Sequence, residues 1–313
     1  MRGKHSVLAV AICACLTIGA AATPAIAAPA APPTNGRIFY DKVPFRHEER
    51  VVSILPDGTD PIVAFLASKY WGMGYRMALS PDGSRIAIAQ DHEPRDGSAW
   101  TSRLVIVDAA DGGNPSIVFP GQDTFYASVN WSSDATALLF TRMSMRPGHS
   151  GYHLYSSGLD GTGLTRMGHG QMIDADMSPD GSTVAFRDGQ ERLGVLDVAL
   201  ATQTLLVESG RIFYPGWSPD GSTIAFSWAR VGAPSSDVYT ISADGLTRAR
   251  LTATRKPWEG WLAWSPDGLQ LVYTADDWSL DIHDLWTIAA DGTGATQITD
   301  DGAYEYFPMW APA

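Results

Sequence analysis

The chain has 313 residues, with 34 acidic against 22 basic side chains and a formal net charge of −12. That excess of negative charge excludes a nucleic-acid backbone or an anionic membrane surface as the main partner, while basic partners and divalent cations are tolerated. Both cysteines, Cys13 and Cys15, lie in the first apolar run, so no disulfide framework is expected in the remainder.

The N-terminus reads as a basic start, "MRGKH", then an apolar run from Ser6 to Ala22 and an Ala25-Ile26-Ala27 site. This is the anatomy of a signal peptide over residues 1–27 and not of a membrane span, so a secreted or periplasmic protein without a transmembrane segment is expected. Ile12-Cys13-Ala14-Cys15 leaves a lipoprotein reading open. Residues 28–35, "APAAPPTN", read as a Pro/Ala-rich linker, and 36–313 as one domain.

From there the chain repeats itself. "GRIFY" at 36 and "RVVSILPDGTD" at 50 read as two strands, and Leu79 is then followed at plus seven and plus nine by Ile86 and Ile88. The same offsets join Trp131 to Leu138 and Phe140, Met177 to Val184 and Phe186, Trp217 to Ile224 and Phe226, and Trp264 to Leu271 and Tyr273. Between anchor and apolar pair stands a turn such as Ser218-Pro219-Asp220-Gly221, in which Pro presets φ and Gly accepts a positive φ at the exit. Each copy is followed by a second alternating strand and turn: "RLVIVDAADGG" at 103, "HLYSSGLDGTG" at 153, "RLGVLDVALAT" at 192, "DVYTISADG" at 237 and "DLWTIAADGTG" at 284. The chain ends on "YFPMWAPA" at 306, a first strand without a second, which complements "GRIFY", a second strand without a first. A unit of about 40–50 residues with four short strands has the dimensions of a propeller blade. The expected fold is all-β, a six-bladed β-propeller closed by pairing its N- and C-terminal strands through Trp310, which removes exposed edges.

The Ser-Pro-Asp-Gly hairpins, most fully "WSPDGSTIAF" and "LAWSPDGLQLVYTA", with their "ADGT"-type turns, resemble the WD40-like repeats of TolB-like propellers and of the propeller domains of prolyl-oligopeptidase-type peptidases. The resemblance spans 36–311 and implies a fold more than an activity. TolB proteins carry an extra α/β domain ahead of the propeller and the peptidases carry a hydrolase domain; neither is expected here. A G-x-S-x-G nucleophile elbow is absent, and the "DGTG" turns lack the ligand pattern of a calcium loop.

Tight turns are expected on one face of the ring and the longer, more variable connections on the other, where rigid scaffolds commonly carry function. The crossings of that face bring aromatic and acidic residues from several blades, and the expected ligand-binding set is Tyr70, Trp71, Tyr126, Asp174, Asp176, Tyr214, Trp258, Glu259, Tyr304 and Glu305. Tyr70, Trp71, Tyr214, Trp258 and Tyr304 are expected to be exposed, and Asp174 and Asp176 to point into the channel. His47, His92, His149, His153, His169 and His283 map to the same face. The leading reading is a monomeric module that binds a protein, peptide or glycan and needs no cofactor. The alternative is a metal-dependent carbohydrate lyase or hydrolase, as some propeller lyases use a histidine metal site, though no pair here has strong ligand spacing. Catalytic and metal-binding residues are not assigned.

Overall fold

The computed structural model describes residues 34–43, 49–66, 72–92, 101–122, 124–144, 151–254, 258–277 and 282–313. Tyr70, Trp71, His47 and His149 lie outside the described residues, as does the side chain of His92. Among the described residues there is no helix; every element is a strand. The chain opens with β1 (Asn35–Val43), β2 (Arg50–Ile54) and β3 (Ile62–Leu66). Four four-stranded antiparallel sheets follow in chain order. The first holds β4 (Gly72–Leu79), β5 (Arg85–His92), β6 (Thr101–Asp108) and β7 (Ser116–Gln122); the second β8 (Thr124–Trp131), β9 (Ala137–Ser144), β10 (His153–Gly158) and β11 (Thr165–Arg166). The third holds β12 (Met172–Met177), β13 (Thr183–Asp188), β14 (Leu193–Asp197) and β15 (Gln203–Val207), and the fourth β16 (Arg211–Trp217), β17 (Thr223–Ala229), β18 (Asp237–Ser242) and β19 (Arg248–Arg250).

The last elements are β20 (Trp258–Trp264), β21 (Gln270–Asp277), β22 (Ile282–Ala289), β23 (Thr296–Gln297) and β24 (Tyr304–Pro312). They join β1–β3 in one eight-stranded sheet. β24 pairs with β22 at one parallel bridge, His283 with Tyr304, but runs antiparallel along β1 from Asn35↔Pro312 through Ile38↔Trp310 to Val43↔Tyr304. The C-terminal strand thus completes the N-terminal three, as the orphan strands predict.

Local chemistry explains the hairpins. In the turn at 218–221, Asp220 accepts from the Ser218 hydroxyl (2.6 Å) and the Ser222 amide (3.0 Å), while Ser218 Oγ accepts from the Thr223 amide (3.0 Å). Ser80 and Asp82, Ser132 and Asp134, Ser178 and Asp180, and Ser265 and Asp267 make the same pairing. These donors hold Asp134 and Asp180 down at about 2. The turn exit has positive φ, +70° at Gly221, where glycine carries no Cβ penalty.

Packing follows from strand alternation. Ile224 and Phe226 face the preceding sheet, against Ala185 and Leu193, and the intervening Ala225 faces the following one, against Leu271 and Tyr273. Ile86 and Ile88, and Leu271 and Tyr273, take the same side of their sheets as Ile224 and Phe226. The clusters run from sheet to sheet and return to the start: Val272 and Leu285 meet Ile38 and Tyr40, and Phe39 and Val51 on the opposite face meet Ile86 and Ile88. The result is a propeller-like ring of antiparallel sheets.

One turn breaks the pattern: Ala135 stands where the other copies have glycine, at φ +57°. Ala135→Gly should raise stability by about 0.5–1 kcal/mol, the left-handed strain relieved less the entropy added to the unfolded chain. Chemical denaturation would check this, and an unchanged or lower stability would show that the Ala135 methyl's packing outweighs its backbone strain.

Candidate binding site along the channel

The strands nearest the axis, β4, β8, β12, β16, β20 and β24, neighbour one another in a closed cycle. Each has a register irregularity near its middle, three residues or so before the anchor position: between Met73 and Arg76, Tyr126 and Ser128, Ile173 and Asp176, Phe213 and Gly216, Gly260 and Ala263, and, along β24, between Tyr306 and Met309. A bulge inserts an extra residue and re-aims a side chain. Here Asp174, Tyr214, Trp261 and Phe307 all adopt left-handed φ, +53°, +52°, +40° and +52°. None is glycine, and such conformations persist where the surroundings over-determine them.

What over-determines them is their mutual contact. Arg76, at the equivalent position of β4, donates to the Ala127 carbonyl, pairs with Asp174 Oδ1 at 3.0 Å and lies over the rings of Tyr214 and Phe307. Arg187 takes the other Asp174 oxygen at 3.0 Å. Trp261 packs on Tyr214 (5.3 Å between centroids) and Phe307 (5.4 Å). Burial opposes the Arg76 charge, but Asp174 and the Tyr214 hydroxyl outweigh it and hold the guanidinium charged. Desolvation raises the Tyr214 phenol. The axis is therefore filled midway by an ion-paired, aromatic layer.

On the side of the long connections, Arg211 pairs with Glu191 (2.8 Å) and lies over Phe213 and Trp258, which pack edge-on at 5.0 Å; Arg187 also caps Phe213. These rings are half-buried, with arginine faces toward them, so they offer stacking surface and cationic donors together. Toward the tight turns the layer forms the floor of a cavity of about 500 Å³, walled by Trp217, Trp264, Leu79, Met309 and the turn prolines Pro81, Pro219, Pro266 and Pro312.

Asp174 and Asp176 both line this cavity, which lies on the tight-turn side of the layer. Asp176 accepts from Asn130 Nδ2 and from the Trp217 amide (2.7 Å), and burial pushes it up to about 6. Tyr214, Trp258 and Tyr304 are half-buried rather than exposed, because each stacks on a neighbouring ring; Tyr304 packs on His283. Three expected ligand contacts sit elsewhere. Tyr126 is 3% exposed and packs against Phe119 and Phe140 in the core between the first two sheets. Glu259 and Glu305 are buried five residues before Trp264 and Trp310, where Glu259 accepts from the Thr252 and Thr254 hydroxyls and Glu305 from that of Thr299. Residues not anticipated as site members are Arg76, Arg187, Arg211, Ser128 and Asn130. Arg76 carried a signal, since it is the one base in the column three before the anchors, beside Ser128, Asp174, Tyr214, Trp261 and Phe307.

His283 is buried with its Nδ1 3.0 Å from Asp276 Oδ1. His153 Nδ1 lies 2.7 Å from the Gly170 carbonyl, and His169 is exposed. Among the described residues, no group of three or more His, Cys, Asp or Glu side chains could hold a metal ion.

Glu305 generates a pH test. Burial, opposed by Thr299 and Lys42, pushes its carboxyl from 4.5 to about 7. A raised folded-state value contributes stability that is full below about 4.5 and is lost as pH rises through 7. The melting temperature should fall over that window, and Glu305→Gln should flatten the fall; a variant with the same pH profile as the parent would assign the dependence to other groups.

No family model matches the chain, and no curated protein matches it in sequence. Among solved structures, TolB from Acinetobacter baumannii superposes with a TM-score of 0.71 at 21% identity, covering 89% of this chain and 67% of that one. A protein from Agrobacterium tumefaciens described as a TolB gives 0.64 at 18%, covering 88% of this chain and 99% of that one. An oligogalacturonate lyase in complex with manganese gives 0.53 at 13%, covering 77% and 71%. At these identities the likeness speaks for architecture, and the chain has the fold of TolB-like propellers.

Proposed function

We propose that residues 36–313 form a six-bladed β-propeller which, exported behind a signal peptide at 1–27 and a linker at 28–35, binds a protein, peptide or glycan at the long-connection end of its axis. It acts as a monomer and does no chemistry of its own. The blade count is supported by the cycle of inter-sheet cores and by the single bridge that divides the eight-stranded sheet into two groups of four. The observation that carries the binding reading is the cluster of Arg187, Arg211, Phe213 and Trp258, in which guanidinium groups lie over half-buried rings at the end of the filled axis. Aromatic and arginine side chains dominate binding energy at protein surfaces, having large contact area and little rotamer freedom to lose. Asp174 extends the site inward through Arg187 and Arg76, and Tyr304 borders it on the β24 side. No described cluster of ligands favours the metal-dependent carbohydrate alternative.

The test is Arg211→Ala combined with Trp258→Ala, compared with the parent chain in capture from an exported-protein fraction and on a glycan array. The double variant should lose at least tenfold in retention of whatever the parent binds, while its melting temperature moves by no more than about 4 °C, about 1 kcal/mol for a chain of this size. A folded double variant that keeps the parent's partners would overturn the site.

A further inference from the structure

The cavity at the tight-turn end lies across the filled layer from the arginine–aromatic cluster. At about 500 Å³ it has the volume of an ordinary ligand pocket, about 300–1,000 Å³. Its walls are largely apolar, formed by Leu79, Met309, Trp217, Trp264 and the turn prolines. Two carboxylates also line it. Asp174 is held between Arg76 and Arg187. Asp176 is bonded by neutral groups, Asn130 Nδ2 and the Trp217 amide, and no described Lys, Arg or His pairs with it. Taking a carboxylate out of water without a counter-charge is costly, and burial raises this one to about 6. At neutral pH the cavity therefore keeps one negative charge that its own wall does not balance.

The mouth of the cavity is charged in the same sense. Pro81, Pro219 and Pro266 of the wall each precede an aspartate, Asp82, Asp220 and Asp267. The turns at this end of the ring are residues 55–61, 80–84, 108–115, 132–136, 158–164, 178–182, 197–202, 218–222, 242–247, 265–269 and 289–295; together they hold thirteen aspartates and no Lys, Arg or His. The other 21 acidic side chains of the chain face 22 basic ones, so the whole acidic excess is gathered at one end. Hairpin geometry accounts for one aspartate in each turn, but not for the absence of every base from all of them. Such a surface repels anions, anionic membranes and a second copy of itself. A neutral sugar would leave Asp176 without a counter-charge, and among the described residues no group of three ligands could hold a metal ion. A lysine or arginine side chain satisfies both the wall and the carboxylate: its methylene stem packs on prolines and indoles while its cationic head reaches the acid. The aspartates around the mouth call for further positive charge on either side of that side chain, and so for a polypeptide rather than a lone amine.

We propose that the tight-turn end of the axis is a docking site for a basic polypeptide segment, one lysine or arginine of which enters the cavity to pair with Asp176 while its neighbours meet the aspartates of the surrounding turns. This site is independent of the arginine–aromatic cluster across the filled layer, and its test does not involve that cluster.

The experiment is isothermal titration of the full chain with an acetylated, amidated heptapeptide alternating lysine and alanine, the same peptide with glutamate for lysine, and spermidine. Saturable binding of the lysine peptide is expected, weakening about tenfold between about 50 and 300 mM salt as the exposed charges are screened. Asp176→Asn removes the charge and keeps the shape of the wall, and should weaken binding about tenfold, the effect of one charge-assisted pair. Asp82→Asn with Asp220→Asn, which keeps the Oδ1 acceptor that each turn uses, should weaken it about fivefold and carries the comparison should Asp176→Asn fail to fold. Glu208→Gln with Asp300→Asn, exposed at the long-connection end, removes as much charge and should leave the affinity within about twofold. No saturable binding of the lysine peptide by the parent, equally tight binding of the glutamate peptide or of spermidine, undiminished binding by folded Asp176→Asn, or equal losses in the mouth pair and the distant pair would each overturn the proposal.

Discussion

A ring of sheets is closed or it is not, and here closure rests on the antiparallel pairing of β24 with β1. The pair runs from Asn35↔Pro312 to Val43↔Tyr304, is extended by the Ala313 amide bonding the Thr34 carbonyl at 2.9 Å, and is stapled by Trp310 Nε1 to the Gly36 carbonyl at 3.3 Å. Two hydrophobic cores depend on it directly. Ile38, Tyr40 and Trp310 face Val272 and Leu285 on one side, and Phe39 and Met309 face Ile86 and Val105 on the other. Without the pair, two long edge strands would open and both cores would lose a wall. Because the paired residues are more than 250 positions apart in sequence, this contact has the largest loop-closure cost in the fold and should form late.

Closure creates the second constraint, an axis that must be filled. The innermost strands converge there, and the recurring bulge supplies side chains at one level: Arg76 with Asp174, and Tyr214, Trp261 and Phe307 around them. Four non-glycine residues in left-handed backbone cost of order 1–3 kcal/mol each, which their stacking and the shared ion pair must offset. Filling the axis at that level also separates its two ends chemically. One end presents arginines over half-buried rings. The other presents turn prolines and indole rings around a cavity.

The blade repeat was legible because its signals are local. The Ser-Pro-Asp-Gly turn and the period-two alternation at plus seven and plus nine act within ten residues, and the orphan strands at the two ends announced their partner. The bulge was not legible, since one extra residue leaves no compositional mark and shifts the apparent facing of everything before it. Tyr126, expected as a ligand contact because its crossing carries aromatics, lies beside that bulge and belongs to a core. Glu259 and Glu305 looked like loop acids because they stand next to Trp258 and Tyr304; their burial depends on threonine hydroxyls. The repeated apolar-Thr pairs, Leu251-Thr252 and Ile298-Thr299, six or seven residues ahead of each glutamate, were the available sign. Arg76 went unnoticed because a base in a strand reads as a solvated face until its column is aligned with Asp174.

Ring closure by β24 and β1 can be read most directly by native-state hydrogen exchange. Strands that hold a closed ring exchange only when the whole ring opens, so the hydrogen-bonded amides of β1 and β24 should share one exchange free energy with those of β5, β9 and β17, equal to the global unfolding free energy and equally sensitive to denaturant. Exchange of β1 and β24 at a markedly lower free energy, insensitive to denaturant while the central strands stay protected, would contradict the account by showing that the ring stands without its closing pair.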